Sequence, residues 1–153
     1  MNIIGIDTGK NGAIAVVGNH IDVIDIPTYK SRVEELAYVD FEVDKFIKDY
    51  KPEIVLIERV HSYPKQGVAS TFKFGVTYGY IVGKIHSLGC AIIFVTPRLW
   101  QSVLEGEGPT KDKSLYTARK NYPSLEGKLT RKKDHNRADA INIAHYGLTK
   151  YGE

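Results

Sequence analysis

The chain opens on "NIIGIDTGKNGAIAVV" (residues 2–17), an apolar run broken by one carboxylate, Asp7. The run predicts a strand, a tight "DTGKNG" turn and a second strand, with the Asn-Gly pair and Gly9 suited to positive φ in the connection. A carboxylate in such a strand is costly to desolvate unless something cationic meets it. Asp7 therefore asks for a place at a sheet end and for a positive partner.

The rest of the chain supplies the sheet. "HIDVIDIP" (20–27) alternates like a third, half-exposed strand. Residues 33–50 take a helical pattern, with Leu36, Val39, Val43, Phe46 and Ile47 available to one face. "PEIVLIE" (52–58) suits a central parallel strand that ends on Glu58. A polar loop, "RVHSYPKQG", leads to a helical stretch over 68–88, and "AIIFVTP" (91–97) reads as another buried strand. "PRLWQSVL" predicts a short helix, "GEGPTKDK" a loop, "KSLYTARKNY" a helix ended by Pro123, and "RADAINIAHYGLTKY" a final helix. This order predicts one α/β domain over residues 1–153, a mixed five-stranded sheet flanked by helices.

Composition agrees with one core, at 42% hydrophobic. No run approaches the roughly 20 apolar residues of a membrane span, and no export signal is apparent at the N-terminus. The single cysteine, Cys90, rules out an internal disulfide; a cytoplasmic setting is expected, and the thiol reads as a buried strand-entry residue. Net charge is only +3, but "GKLTRKKDHNR" (127–137) gathers Lys128, Arg131, Lys132, Lys133 and Arg137 around one acid. That segment is either a solvated loop or a surface for a phosphate backbone.

Asp7, Glu58 and Asp139 each violate the local pattern. If the first and fourth strands are neighbours, Asp7 and Glu58 emerge at one end of the sheet, and the last helix can lay Asp139 across them. Three converging carboxylates repel unless a cation is present, and oxygen-rich sites suit Mg²⁺ or Mn²⁺. Two such ions about 4 Å apart clamp the attacking and leaving oxygens of a phosphodiester. A fourth ligand is sought three or four residues before Asp139, at Asn136 or His135; Asp134, five back, lies on another side.

Four segments, "GIDTGKNGAIAVV", "IERVHSYPKQGVASTFKFGVTYGYIVG", "TPRLWQSVLEGEGPTKDKS" and "RADAINIA", together resemble the RuvC-like Holliday junction resolvases of the ribonuclease-H-like superfamily. The resemblance implies a metal-dependent endonuclease acting on branched DNA as a homodimer, with two ions per site and no small-molecule cofactor. It maps the family's acids onto Asp7, Glu58 and Asp139, with Asp7 bridging the ions. It leaves Asn136 where an acid or histidine is usual, with His135 as substitute. The family lysine matches Lys113 best, with Lys111 in competition, and the aromatic loop corresponds to His61–Gln66, where Tyr63 would stack at the junction centre. The chain's brevity resembles bacteriophage members. DNA contacts are expected from Tyr63, Lys65, Lys73, Lys111, Lys113, Arg131, Lys132, Lys133 and Arg137, with Tyr78 in a segment that faces nucleic acid. Gly75, Gly79 and Gly83 recur every fourth residue, for close packing against either a second copy or the chain's own sheet. The rival readings are a ribonuclease-H-like nuclease for RNA–DNA hybrids or flaps, and a junction-binding protein without catalysis.

Overall fold

The computed structural model describes residues 1–9, 11–26, 33–59 and 65–152, with the side chains of the first helix described from Glu42 onward. The elements run β1 (Asn2–Asp7), β2 (Ala13–Gly18), β3 (Asp22–Asp25), α1 (Val33–Tyr50), β4 (Ile54–Glu58), α2 (Val68–Ser87), β5 (Ala91–Val95), α3 (Pro97–Trp100), α4 (Thr110–Asn121) and α5 (His135–Tyr151). The strands form one mixed sheet in the order β3-β2-β1-β4-β5. β1–β2 and β2–β3 are antiparallel, whereas β1–β4 and β4–β5 are parallel. The expected architecture is therefore observed.

Side-chain alternation divides the sheet. Ile4, Ile6, Ile14, Val16, Val55 and Ile57 pack with Val43, Phe46 and Ile47 of α1 and with Ile81 and Ile85 of α2. The opposite parity, Ala13, Ala15 and Val17 with Ile3 and Leu56, packs with α4 and α5. Gly5 makes the second packing close, because a Cβ there would collide with the backbone of Ala140 and Ala144. Gly147 likewise lies on Leu56 and Ile3. α5 thus runs back along β1, with Gly147 over Ile3 and Ala144 and Ala140 over Gly5. Two strand residues cover about 6.6 Å, or about four residues of helix, so the next step along β1 brings Asp7 beneath the turn that carries Asp139.

Several expected boundaries shift for local reasons. β4 starts at Ile54 rather than residue 52, since Pro52 has no N–H and Lys51 sits at φ 46°. β5 ends at Val95 because Thr96 caps α3, its hydroxyl accepting from Leu99 N at 3.3 Å. α4 begins at Thr110, inside the expected loop, and α5 begins at His135, two residues early. β5 is an edge strand, and only Val95 is buried; Ala91 and Phe94 are exposed, which corrects the reading of a buried strand. Cys90 is half-buried, and burial pushes its thiol up, in keeping with an inert side chain.

The glycine series on α2 admits one correction. No atom of the described residues lies within 4 Å of a Cβ built on Gly75, Gly79 or Gly83, so these glycines do not serve close packing on the chain's own sheet. Gly5→Ala should therefore cost about 3 kcal/mol or more, since only backbone can yield. Gly75→Ala should leave stability unchanged or raise it by up to about 1 kcal/mol. Thermal melting of the two variants checks the contrast.

Candidate metal centre

Parity and register place the first two acids. Ile6 lies opposite Ile57, so Asp7 and Glu58 end neighbouring parallel strands. Counting along Ile3–Gly5–Asp7 and Ile54–Leu56–Glu58, both acids fall on the face covered by α5, where Ala138 and Ala140 are fully buried around Asp139.

Each carboxylate is gripped through one oxygen by a neutral donor. Gly9 N donates to Asp7 Oδ1 at 3.0 Å, the Trp100 indole N–H to Glu58 Oε2 at 2.6 Å, and the Ser114 hydroxyl to Asp139 Oδ1 at 2.5 Å. The second oxygen of each has no hydrogen-bond donor among the described residues. No lysine or arginine among these residues forms an ion pair with the three.

The electrostatics follow from that geometry. Burial raises Asp7 to about 6, partly offset by the Gly9 N–H. Burial, then the charge of Asp7, raises Glu58 to about 6, against the Trp100 hydrogen bond. Asp139 rises to about 7, chiefly through burial, with the Ser114 bond opposing and Asp7 and Glu58 adding. The three acids therefore share one field. Among the described residues, no group of three or more His, Cys, Asp or Glu is drawn together as the ligands of an ion. Repulsion between uncompensated carboxylates opposes such closure. The donor set, hard oxygens with no lysine or arginine ion-paired to them among the described residues, fits a divalent cation of the Mg²⁺ or Mn²⁺ type.

The candidates around the acids are sorted by position. His135 Nδ1 lies 3.7 Å from Asp139 Oδ2, is buried and has no hydrogen-bond partner among the described residues. Burial and the nearby charge of Lys111 hold its pKa down, so the ring stays neutral at pH 7. Asn136 instead lines a groove of about 550 Å³ with Asn11, Gly12, Asp25, Arg131, Lys133 and Arg137. The contact with Asp139 thus belongs to His135. Of the two lysines, Lys111 acts on Asp139 and His135 and shares a helix face with Ser114 three residues on, while Lys113 is half-buried on the same helix.

The basic segment is partly paired within the chain. Arg131 is spent on Asp134, at 2.8 Å, and Arg137 grips Asp25 through two nitrogens at 2.8 and 2.9 Å. Lys128 bonds Asp22 at 2.8 Å. The last two pairs tie the segment to the β3 edge, while the first closes within the segment. Lys132 and Lys133 remain exposed, as do Lys65, Lys73 and Lys111. Tyr63 lies outside the described residues; Tyr78 is half-buried against the core. Ser114, Trp100 and Asn142 were not anticipated, because a serine in a helix and a tryptophan after a strand carry no pattern of their own.

A mixed five-stranded sheet of this order, with acids at the ends of its first and fourth strands and on its last helix, is the ribonuclease-H-like fold. No family model matches the chain, and no curated protein matches its sequence. Solved structures do. RuvC of T. thermophilus in complex with a Holliday junction substrate superposes with a TM-score of 0.67 at 19% identity, covering 99% of this chain and 98% of that one. Thermus thermophilus RuvC alone gives a TM-score of 0.63 at 21% identity, covering 97% and 96%. The yeast mitochondrial Holliday junction resolvase Ydc2 gives 0.61 at 14%, covering 98% of this chain and 81% of that one. The chain has the RuvC-type fold over its whole described length.

Raised carboxylates favour the protonated form in the folded state. Their contribution to stability is full below the ordinary carboxylate range and is lost as pH rises through about 6 to 7. Without divalent ions, Asp139→Asn should therefore be more stable than the parent at pH 8, by on the order of 2 kcal/mol. The advantage should vanish near pH 4. Melting curves at the two pH values, in chelator, read this directly.

Proposed function

We propose that this chain is a divalent-metal-dependent endonuclease that resolves four-way DNA junctions. The observation that carries the reading is the set of three carboxylates, each with one oxygen fixed by a neutral donor and none ion-paired to a lysine or arginine among the described residues, on a RuvC-type fold. Bound divalent ions supply Lewis acidity and an activated water for phosphodiester hydrolysis, which leaves 5′-phosphate and 3′-hydroxyl ends. Asp7, Glu58 and Asp139 hold the ions, with Asp7 between its two partners. Neutral His135 accepts a proton or turns a water toward the scissile phosphate. Lys111 stands where positive charge offsets that of the phosphate.

Lys132 and Lys133, with Lys65 and Lys73, offer the backbone contacts that a branched duplex needs. The groove lined by Asn11, Asn136, Arg131 and Lys133 offers a further surface for the backbone. Two symmetric nicks call for two sites, hence for a homodimer. α2 offers a surface for it: Val68, Phe72 and Val76 are 89%, 74% and 41% exposed, and Gly75 and Gly79 leave open space beside them.

Incubation with a synthetic four-way junction and Mg²⁺ should give paired nicks at symmetric positions on a denaturing gel, with little cleavage of hybrid or flap substrates run alongside. Preferential cutting of the hybrid, or junction binding without any nick, would overturn the assignment. Asp7→Asn should keep junction binding while nicking falls by about 10³-fold or more. Phe72→Glu should shift the protein from dimer to monomer in sedimentation, and an unchanged dimer would move the interface elsewhere.

A further inference from the structure

We propose that Ser114 and Asn142 form a buried relay whose task is to aim the Asp139 carboxylate at the cation; the proposal rests on the metal-site reading above. Both side chains belong to fully buried residues, one on α4 and one on α5. Asn142 Nδ2 lies 3.0 Å from the Ser114 carbonyl oxygen and 3.0 Å from Ser114 Oγ. A carbonyl oxygen only accepts, so the amide must present its NH₂ group there, which settles its orientation. Ser114 Oγ accepts from that amide, and its single proton is then directed to Asp139 Oδ1, 2.5 Å away.

Asp139 Oδ1 is thereby committed, and Oδ2 is turned toward His135 and the open side of the site. The hydroxyl cannot rotate away without leaving the amide facing another donor. Asp139 is thus held in one rotamer through a contact made behind it.

Stability alone does not account for Asn142. Its Oδ1 is buried without a partner among the described residues, which costs about 1–3 kcal/mol. A leucine of similar size would fill the position with no such cost. The amide is useful only if the orientation it imposes on Ser114 matters. Donors placed behind metal ligands commonly change metal affinity by about 10–100-fold when removed.

The test is Mn²⁺ binding by the full chain, followed by the loss of the free-ion EPR signal, with melting of the metal-free protein measured in parallel. Ser114→Ala should weaken Mn²⁺ binding by about 10–100-fold, while Ser114→Thr, which keeps the hydroxyl, should stay within about threefold of the parent. Asn142→Ala should weaken it by about 3–10-fold, and it decides the matter if Ser114→Ala does not fold. Parent-like affinity in Ser114→Ala, or equal losses in the Ala and Thr variants, would overturn the relay. Failure of the parent itself to bind Mn²⁺ would overturn the metal-site reading, and the relay with it.

Discussion

The approach of α5 to the sheet is the contact on which the site depends. Gly5 has no Cβ, and the space one would occupy is filled by the backbone of Ala140 and Ala144. Ala13, Ala15 and Ala138 line the same interface, all fully buried. Small residues on both sides let the helix lie at backbone distance over β1, and Gly147 repeats the arrangement over Leu56. A larger residue at position 5 would lift the helix and carry Asp139 away from Asp7. The interface that stabilises the fold is also the one that sets the site's dimensions, which is why it tolerates so little change.

A second constraint is electrostatic. Elsewhere this chain neutralises its acids: Arg137 holds the Asp25 carboxyl below the usual range, and Asp134, though buried, is brought down by the hydrogen bonds of Arg131. At the sheet end it does the opposite. Asp7, Glu58 and Asp139 are buried beside one another, are raised rather than lowered, and receive only neutral donors. A backbone N–H, an indole and a hydroxyl orient a carboxylate without cancelling its charge. The three acids thus bear the cost of burial as raised pKa values, a cost that a bound cation would offset and that the apo fold alone does not explain.

Much of this was legible because it breaks a pattern. An acid in "NIIGID", an acid ending "IVLIE" and an acid within "ADAINIA" each contradict the periodicity around them, and strand parity then puts the first two on one face. Ser114 and Trp100 contradict nothing, so their roles emerge only when α4 and α3 are seen beside α5 and β4. The pairing within the basic segment was not legible for the converse reason. Charge density along a chain says nothing of pairing with Asp22 and Asp25, more than a hundred residues away in sequence. The choice between Lys111 and Lys113 depended on where α4 begins: starting it at Thr110 puts Lys111, not Lys113, on the face of Ser114.

The two faces of the sheet are finished unequally, and the difference bears on how two sites would be joined. The α5 face is closed by two packed clusters of aliphatic and aromatic side chains. α2, twenty residues long, buries only Ile81 and Ile85 and leaves Val68 and Phe72 in solvent. It follows directly from the loop after Glu58, where Arg59 stacks 5.5 Å above Phe94 of the edge strand. A second copy seated on α2 would therefore bear on the segment that leaves the metal centre. On the proposed reading, association and the setting of the strand path past Glu58 are one event, so that an unpaired chain would hold its carboxylates in place and still lack half of the surface a two-fold junction requires.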